Sequence, residues 1–492
     1  MNKITPMLLA VCTLVSLSHA QNISQKGTDL DGEAAGDESG WSVSMPDANT
    51  VAIGAYLNDG SGTNAGHVRI YAWNGSTWTQ KGTDIEGEAA NDRSGWSVSM
   101  PDANTVAIGA YLNDGSGLNA GHVRIYSWDG SAWTQKGTDI EGEAADDRSG
   151  WSVSMPDANT VAIGAYQNGG TGDDAGHVRV FTWSGSVWLQ KGGDMDGEAM
   201  GDLSGQAVSM PDANTVAIGA TRNDGNGNDA GHVRMYTWSG SAWIQQGDDI
   251  DGEAISDRSG YAVSMPDANT VAIGAWGNDG SQSNAGHVRI YTWGGSAWTQ
   301  KGADIDGAAA DDESGYSVSM PDANTIAIGA YRHDGNETDA GHVRLYTWDG
   351  IAWIQRGTDI LGEAAVDQSG VSVSMPDANT VAIGARYNDA SGSDAGHTRV
   401  YAAGNKVGML ENSFGNPLTV YPNPASGEIH LDLGRTYTEA TIIVTNPVGQ
   451  AVLKKGYQDS DVLQLTLPGE AGLYLIEVRS GDKKALLKVM KE

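Results

Sequence analysis

Large apolar residues alternate with small or polar ones in short stretches along most of the chain. Trp41-Ser42-Val43-Ser44-Met45 is one, and Val51-Ala52-Ile53-Gly54 follows it after a turn at Pro46 to Asn49. Alternation at period two puts the two residue classes on opposite faces of a half-buried strand. A glycine-rich loop, Leu57 to Ala65, leads to a third strand, His67 to Trp73, and Ser76 to Gly82 reads as a fourth. Asn74-Gly75 between the last two predicts a two-residue type I′ hairpin, in which both turn positions need positive φ. Asp129-Gly130, Gly294-Gly295 and Asp349-Gly350 repeat that signal.

The four-strand pattern itself recurs. Met-Pro-Asp-Ala-Asn-Thr begins at Met45, Met100, Met155, Met210, Met265, Met320 and Met375, every interval being 55 residues. A period near this length belongs to propellers and related arrays, and four antiparallel strands make one blade. A single unit is too small to bury a stable core, so neighbouring sheets must cover each other, the large residues of one meeting Ser, Ala and Gly of the next. The ends indicate how the array closes. A fourth-strand motif, Ile23-Ser24-Gln25-Lys26-Gly27, precedes the first complete unit, and the seventh unit stops at Tyr401 without its own copy. The expected fold is therefore all-β, a seven-bladed β-propeller whose N-terminal strand completes the last blade and removes the free edges.

Charge and composition then narrow the partners. A formal net charge of -33 over 492 residues opposes binding to nucleic acid or to anionic lipid, both of which need Lys and Arg. Residues 1–20 read as a signal peptide: Lys3, the apolar run Met7 to Leu17, then Ser18-His19-Ala20 ahead of Gln21. Cys12 within it is the one cysteine of the sequence, so the exported chain is expected to fold without disulfides. No later stretch has the roughly 18 consecutive apolar residues of a membrane span.

The segment SGWSVSMPDANTVAIGA resembles the FG-GAP repeat, found also in integrin alpha chains, through its Gly-x-Ser-Val strand, polar turn and apolar strand ending Gly-Ala. The resemblance extends over residues 21–405 and implies the propeller fold while leaving function open. Integrin-type units commonly carry a longer Asp-rich calcium loop where this chain has only Met45 to Thr50, so that site does not carry over. After Tyr401 the repeat ends; residues 406–416 read as a linker and 417–492 as a small β-sandwich with strands at Leu418 to Val420, Ile429 to Leu433, Ala440 to Thr445, Gln450 to Leu453, Val462 to Leu467 and Tyr474 to Val478. This tail resembles the type A sorting domain of the type IX secretion system of Bacteroidota, through Pro422, Asn423 and Pro424 in Tyr-Pro-Asn-Pro, Gly449, Gly472, Tyr474 and the basic end Lys483 to Lys491. It implies handling by the type IX machinery and a secreted or outer-surface location.

Candidate chemistry lies mainly in the connectors between blades. Asp29, Asp31 and Asp37, then Asp84, Glu86 and Asp92, Asp139, Glu141 and Asp147, and Asp249, Asp251 and Asp257 are candidate calcium ligands, carboxylate oxygens suiting a hard cation. The competing reading is a solvated loop in which the Asp92 position caps a turn. Seven histidines, His67 and its equivalents at 55-residue intervals, cannot converge on one ion around a seven-fold axis, and hydrogen bonding between blades is expected of them instead. No catalytic cofactor motif is present, and near-identical units present the same groups seven times where an active site needs unlike ones. The positions that break the pattern are Gln206, Val371, Thr221, Trp276 and Arg386. The expected function is a monomeric, secreted or cell-surface binding or adhesion protein, not an enzyme, that offers a multivalent surface to glycan or extracellular matrix protein. The alternative is an extracellular polysaccharide-acting enzyme with its site at the propeller axis.

Overall fold

The computed structural model describes residues 23–403, 411–412, 414, 418–421, 423, 425, 427–446, 450–481 and 483–491. The expected signal peptide and much of the expected linker lie outside them. The chain divides into two compact units, Met1–Ala402 and Ala403–Glu492.

In the first unit seven sheets repeat one plan. The first blade has strands Ser42–Asp47, Thr50–Ala55, His67–Trp73 and Trp78–Gln80 in antiparallel order, with the two-residue strand Ile85–Glu86 returning to the third. The first strands of successive blades touch one another in a complete cycle, which makes them the wall of the axis. The second strand is buried along its whole length. Its faces pack as the alternation requires: Ala107, Val123 and Ile125 of one blade meet Met155, Val161 and Ile163 of the next, each fully buried aliphatic side chain contributing about 1.5–3 kcal/mol.

The ring closes from both ends of the chain. Ile23–Gln25 lies beside His397–Ala403 in the seventh sheet, Leu30 pairs with Thr398, and the Lys26 amide donates to the Val400 carbonyl at 2.7 Å. The axis wall closes as well, since the Met45 amide donates to Ser374 Oγ at 2.9 Å just as Met100 does to Ser44 between the first two blades. Further out, the Lys81 ammonium sits 5.2 Å from the Trp128 and Trp133 ring centres of the next blade and donates to Ala103 O and Asn104 Oδ1, while Trp133 Nε1 donates back to Lys81 O. The repeated tryptophans are packing positions, and five of the six pairs clamp a lysine from the preceding blade, Trp293 and Trp298 meeting Gln246 instead.

Two local expectations fail. The Asn74-Gly75 hairpin is not a two-residue turn: Trp73 pairs with Trp78 and four residues form the loop. Of these only Gly75 has positive φ, and Asn74 Oδ1 accepts the Ser76 and Thr77 amides, so an Asx turn replaces type I′. The fourth strand is not continuous either. Gly82, at φ +84°, turns the chain against Trp128, and pairing resumes only at Ile85–Glu86.

The second unit is a six-stranded sheet closing on a core that includes Phe414, Ile429, Leu431, Ile442, Val444, Ile476 and Leu487. The four short strands expected between Ile429 and Leu467 merge into two long ones. Glu428–Thr445 and Ala451–Thr466 each run through a register shift as one element, and the basic end forms a strand of its own, Lys483–Lys491.

Candidate functional site

Each blade connector ends in Ser-Gly followed by the first residue to face the axis. Gly40, Gly95, Gly150, Gly205, Gly260, Gly315 and Gly370 all have φ between +85° and +92°. A Cβ on Gly95 would lie 2.4 Å from His67 O, so a side chain is excluded there by space as well as by conformation. The turn swings the following side chain inward. Trp41, Trp96, Trp151, Gln206, Tyr261, Tyr316 and Val371 thus line a cup of about 150 Å³ at the axis. It opens on the face that carries the glycine-rich loops and the blade connectors, which the Gly66–Ser94 bridge ties together.

The cup is lopsided. Trp41, Trp96 and Trp151 form an arc with ring centres 4.4 and 4.5 Å apart, Tyr261 and Tyr316 a second arc at 4.6 Å, and Gln206 and Val371 occupy the gaps between. A second layer supports them. Tyr56 packs edge-on against Trp96, while Tyr166 lies tilted against Trp151 and Tyr331 tilted against Tyr316. Thr221 Oγ1 donates to Gln206 Oε1 at 3.1 Å and fixes that amide, Trp276 meets Tyr261, and the Arg386 guanidinium lies 4.7 Å over Trp41. All five pattern-breaking positions therefore belong to one site. A third layer escaped sequence reading: Glu38, Arg148, Glu313 and Gln368 occupy a single repeat position and bind Tyr56, Tyr166, Tyr331 and Arg386 respectively. Burial raises the Glu38 carboxyl despite the Tyr56 hydroxyl donated to it. The signal available in the sequence was the variation of that column, read together with the columns of Trp41 and Tyr56.

The calcium candidates are divided among separate tasks. Asp37, Asp92, Asp147 and Asp257 are turn caps: Asp92 accepts the Ala89 amide at 3.0 Å and Asn113 Nδ2 at 2.9 Å, and Asp37, Asp147 and Asp257 do the same with local amides. Asp29, Asp84, Asp139 and Asp249 each accept a glutamine amide and face a histidine, Asp84 Oδ2 lying 3.8 Å from His67 Nδ1. Asp31, Glu86, Glu141 and Asp251 sit opposite histidines across the two-residue strands.

At Nε2 the hydrogen bonds expected of the seven histidines are not formed. Nε2 of His67, His122, His177, His232, His287, His342 and His397 has no partner, and all seven rings are buried. Burial and the adjacent Arg69 guanidinium push His67 down to about 4, which leaves it neutral. Its Nδ1 faces Glu33 at 3.9 Å, a carboxylate shared with Arg69, because the connector of one blade lies over the third strand of the next.

Comparison with known families agrees with this architecture. Residues 25–71 and 83–126 match the FG-GAP repeat, and residues 419–492 match the secretion-system C-terminal sorting domain. The chain carries FG-GAP repeats and a type IX sorting domain. No curated protein matches it. Similar solved structures include the β-propeller domain of the Trilobed protease from Pyrococcus furiosus, 12% identical over 70% of this chain and 90% of that one with a TM-score of 0.39. The acylaminoacyl peptidase of Pyrococcus horikoshii is 12% identical over 82% and 58%, with a TM-score of 0.40.

The sorting domain directs export to the cell surface or the extracellular space, and no helix among the described residues is long and apolar enough to cross a membrane. Of its sequence motif, Asn423 Oδ1 accepts the Met490 amide at 2.9 Å and latches the motif onto the last strand. Gly472 opens the strand Gly472–Ser480, and the buried Tyr474 hydroxyl donates to Glu470 O at 2.8 Å. Pro422, Pro424 and Gly449 lie outside the described residues. The FG-GAP unit and the sorting domain are not enzymatic families, so export and a propeller are the functional facts they supply.

Proposed function

We propose that this exported FG-GAP propeller is a binding protein whose ligand, a carbohydrate ring at the end or in a loop of a glycan, enters the axial cup. The carrying observation is the convergence of the unlike residues Trp41, Gln206, Tyr261 and Val371 on one cavity, while the Met-Pro-Asp-Ala-Asn-Thr turn of the same unit is identical in all seven copies. A cup of about 150 Å³ falls below the roughly 300–1,000 Å³ of ordinary small-molecule sites and suits one ring. The tryptophan arc offers flat apolar faces, and Gln206, oriented by Thr221, supplies an amide to a hydroxyl. This reading moves the site from a multivalent rim to one centre.

The enzyme alternative has less support. Glycoside hydrolysis generally requires two carboxylates flanking the bond, and the cup is lined by tryptophan, tyrosine, glutamine and valine. The test is capture of the mature protein on a glycan and matrix-protein panel, comparing wild type with Trp96→Ala. Retention of a glycan that falls at least about tenfold in the variant, with no released sugar, is the expected result. Equal capture by both proteins removes the cup from the reading, and released product replaces binding by catalysis.

A further inference from the structure

The sixth blade departs from the repeat at three positions that meet in space. The connector glutamate, Glu33, Glu88, Glu143, Glu198, Glu253 and Glu363 elsewhere, is Ala308. The acid opposite the buried histidine, Glu86 in the first blade, is Leu361, which pairs with His342. Asn58, which bonds Asp37 in the first blade, is replaced by His333. Two carboxylates are lost from one cleft and an imidazole is gained.

The new ring lies tilted against the old one. His333 and His342 have ring centres 3.9 Å apart, and a ligand atom from each, with one from Asp359, lies within 4.8 Å of the others. His342 is fully buried, and its Nε2 has no hydrogen-bond partner. Its Nδ1 lies 3.3 Å from Asp359 Oδ2, and Gln355 holds the other Asp359 oxygen at 2.6 Å. Behind His333, Asp312 Oδ1 is 3.0 Å from Nδ1 and Asp312 Oδ2 accepts the Ala309 amide. A carboxylate at Nδ1 draws the proton there and leaves the Nε2 lone pair free, the arrangement that orients histidines toward metal ions.

We propose that the sixth blade binds one divalent transition-metal ion of the zinc class through His333 Nε2, His342 and Asp359, with Asp312 as a positioning residue. Two imidazoles and one carboxylate suit zinc and its first-row neighbours, whereas calcium takes six or more oxygens. Donors about 2.0–2.2 Å from a shared tetrahedral ion stand roughly 3.4 Å apart, close to the 3.3 Å between His342 and Asp359. The other clefts offer a weaker set. In the first, a single histidine faces Asp84 at 3.8 Å and Glu33, already shared with Arg69, at 3.9 Å, so the set has one imidazole where the sixth blade has two. A fourth position is available to water, since the His333 and Asp359 side chains keep 14% and 31% exposure. The ion ties the loop, third strand and outgoing connector of one blade together.

The experiment is zinc titration of the full mature protein after chelation, beside His333→Asn. That variant restores the residue of the other six blades, and its melting in chelator is expected to match wild type. Wild type should bind one more zinc ion per chain than the variant, and cobalt(II) should give a four-coordinate visible spectrum only in wild type. Asp359→Asn, a second route to the same loss, should also remove that ion, and Asp312→Asn should weaken it about 10–100-fold. Equal zinc stoichiometry and affinity in wild type, His333→Asn and Asp359→Asn overturns the proposal.

Discussion

Lys26, Lys81, Lys136, Lys191 and Lys301 meet the tryptophan pair of the next blade in the same way, whereas Trp41, Gln206, Tyr261 and Val371 put four unlike side chains at one repeat position. The seam between blades must satisfy the same geometry at every junction, so any residue that clamps one junction suits all of them. At the axis the seven copies of a position face a shared space, and identity there confers no packing advantage. Selection on a ligand can therefore act on the cup without touching the seam. Stability belongs to what repeats, and specificity to what does not.

Removing residues 21–31 should have the largest effect, because it withdraws the strand that completes the seventh blade along with buried Leu30. Chemical denaturation should show a loss of at least about 3 kcal/mol. An unchanged midpoint would mean that the axis wall alone closes the ring. Gly95→Ala comes next, at about 2–3 kcal/mol, since φ +85° and the His67 carbonyl both resist a Cβ. Gly205→Ala should cost the same although its neighbour in the cup is Gln206 rather than Trp96. A large difference between the two would break the separation of seam from cup.

Lys81→Ala should cost about 1 kcal/mol by loss of its tryptophan contacts and two hydrogen bonds. The fifth junction already has Gln246 there, so Gln246→Lys should stabilise by up to about 1 kcal/mol in the same assay. The smallest stability effect is expected from Gln206→Trp, within about 0.5 kcal/mol, while glycan retention falls about tenfold. A stability loss as large as that of Gly95→Ala would show that the cup also holds the ring together.

Much of this was legible in the chain. The 55-residue period gave the blade number, and the displaced fourth strand at Ile23 gave the mode of closure, because both follow from strand pairing that every copy must repeat. The pattern-breaking residues were visible, though not their meeting point. The hairpin was misread because the Asn74 side chain competes with the backbone geometry that Asn-Gly usually signals. The histidines were misread because their surroundings come from the connector of the preceding blade. Glu33 and His67 are 34 positions apart in sequence, and no local pattern pairs them.

Alternation and periodicity determined the strands, their grouping and the ring, since these depend on which faces of a repeating sheet must be dry. Only the tertiary structure decided where unlike copies converge: Gly95 and its equivalents swing one side chain per blade to the axis, and connectors lay the acids of one blade over the third strand of the next. Those juxtapositions depend on the angle between sheets. That angle is set by packing across blades, and no run of residues along the chain encodes it alone.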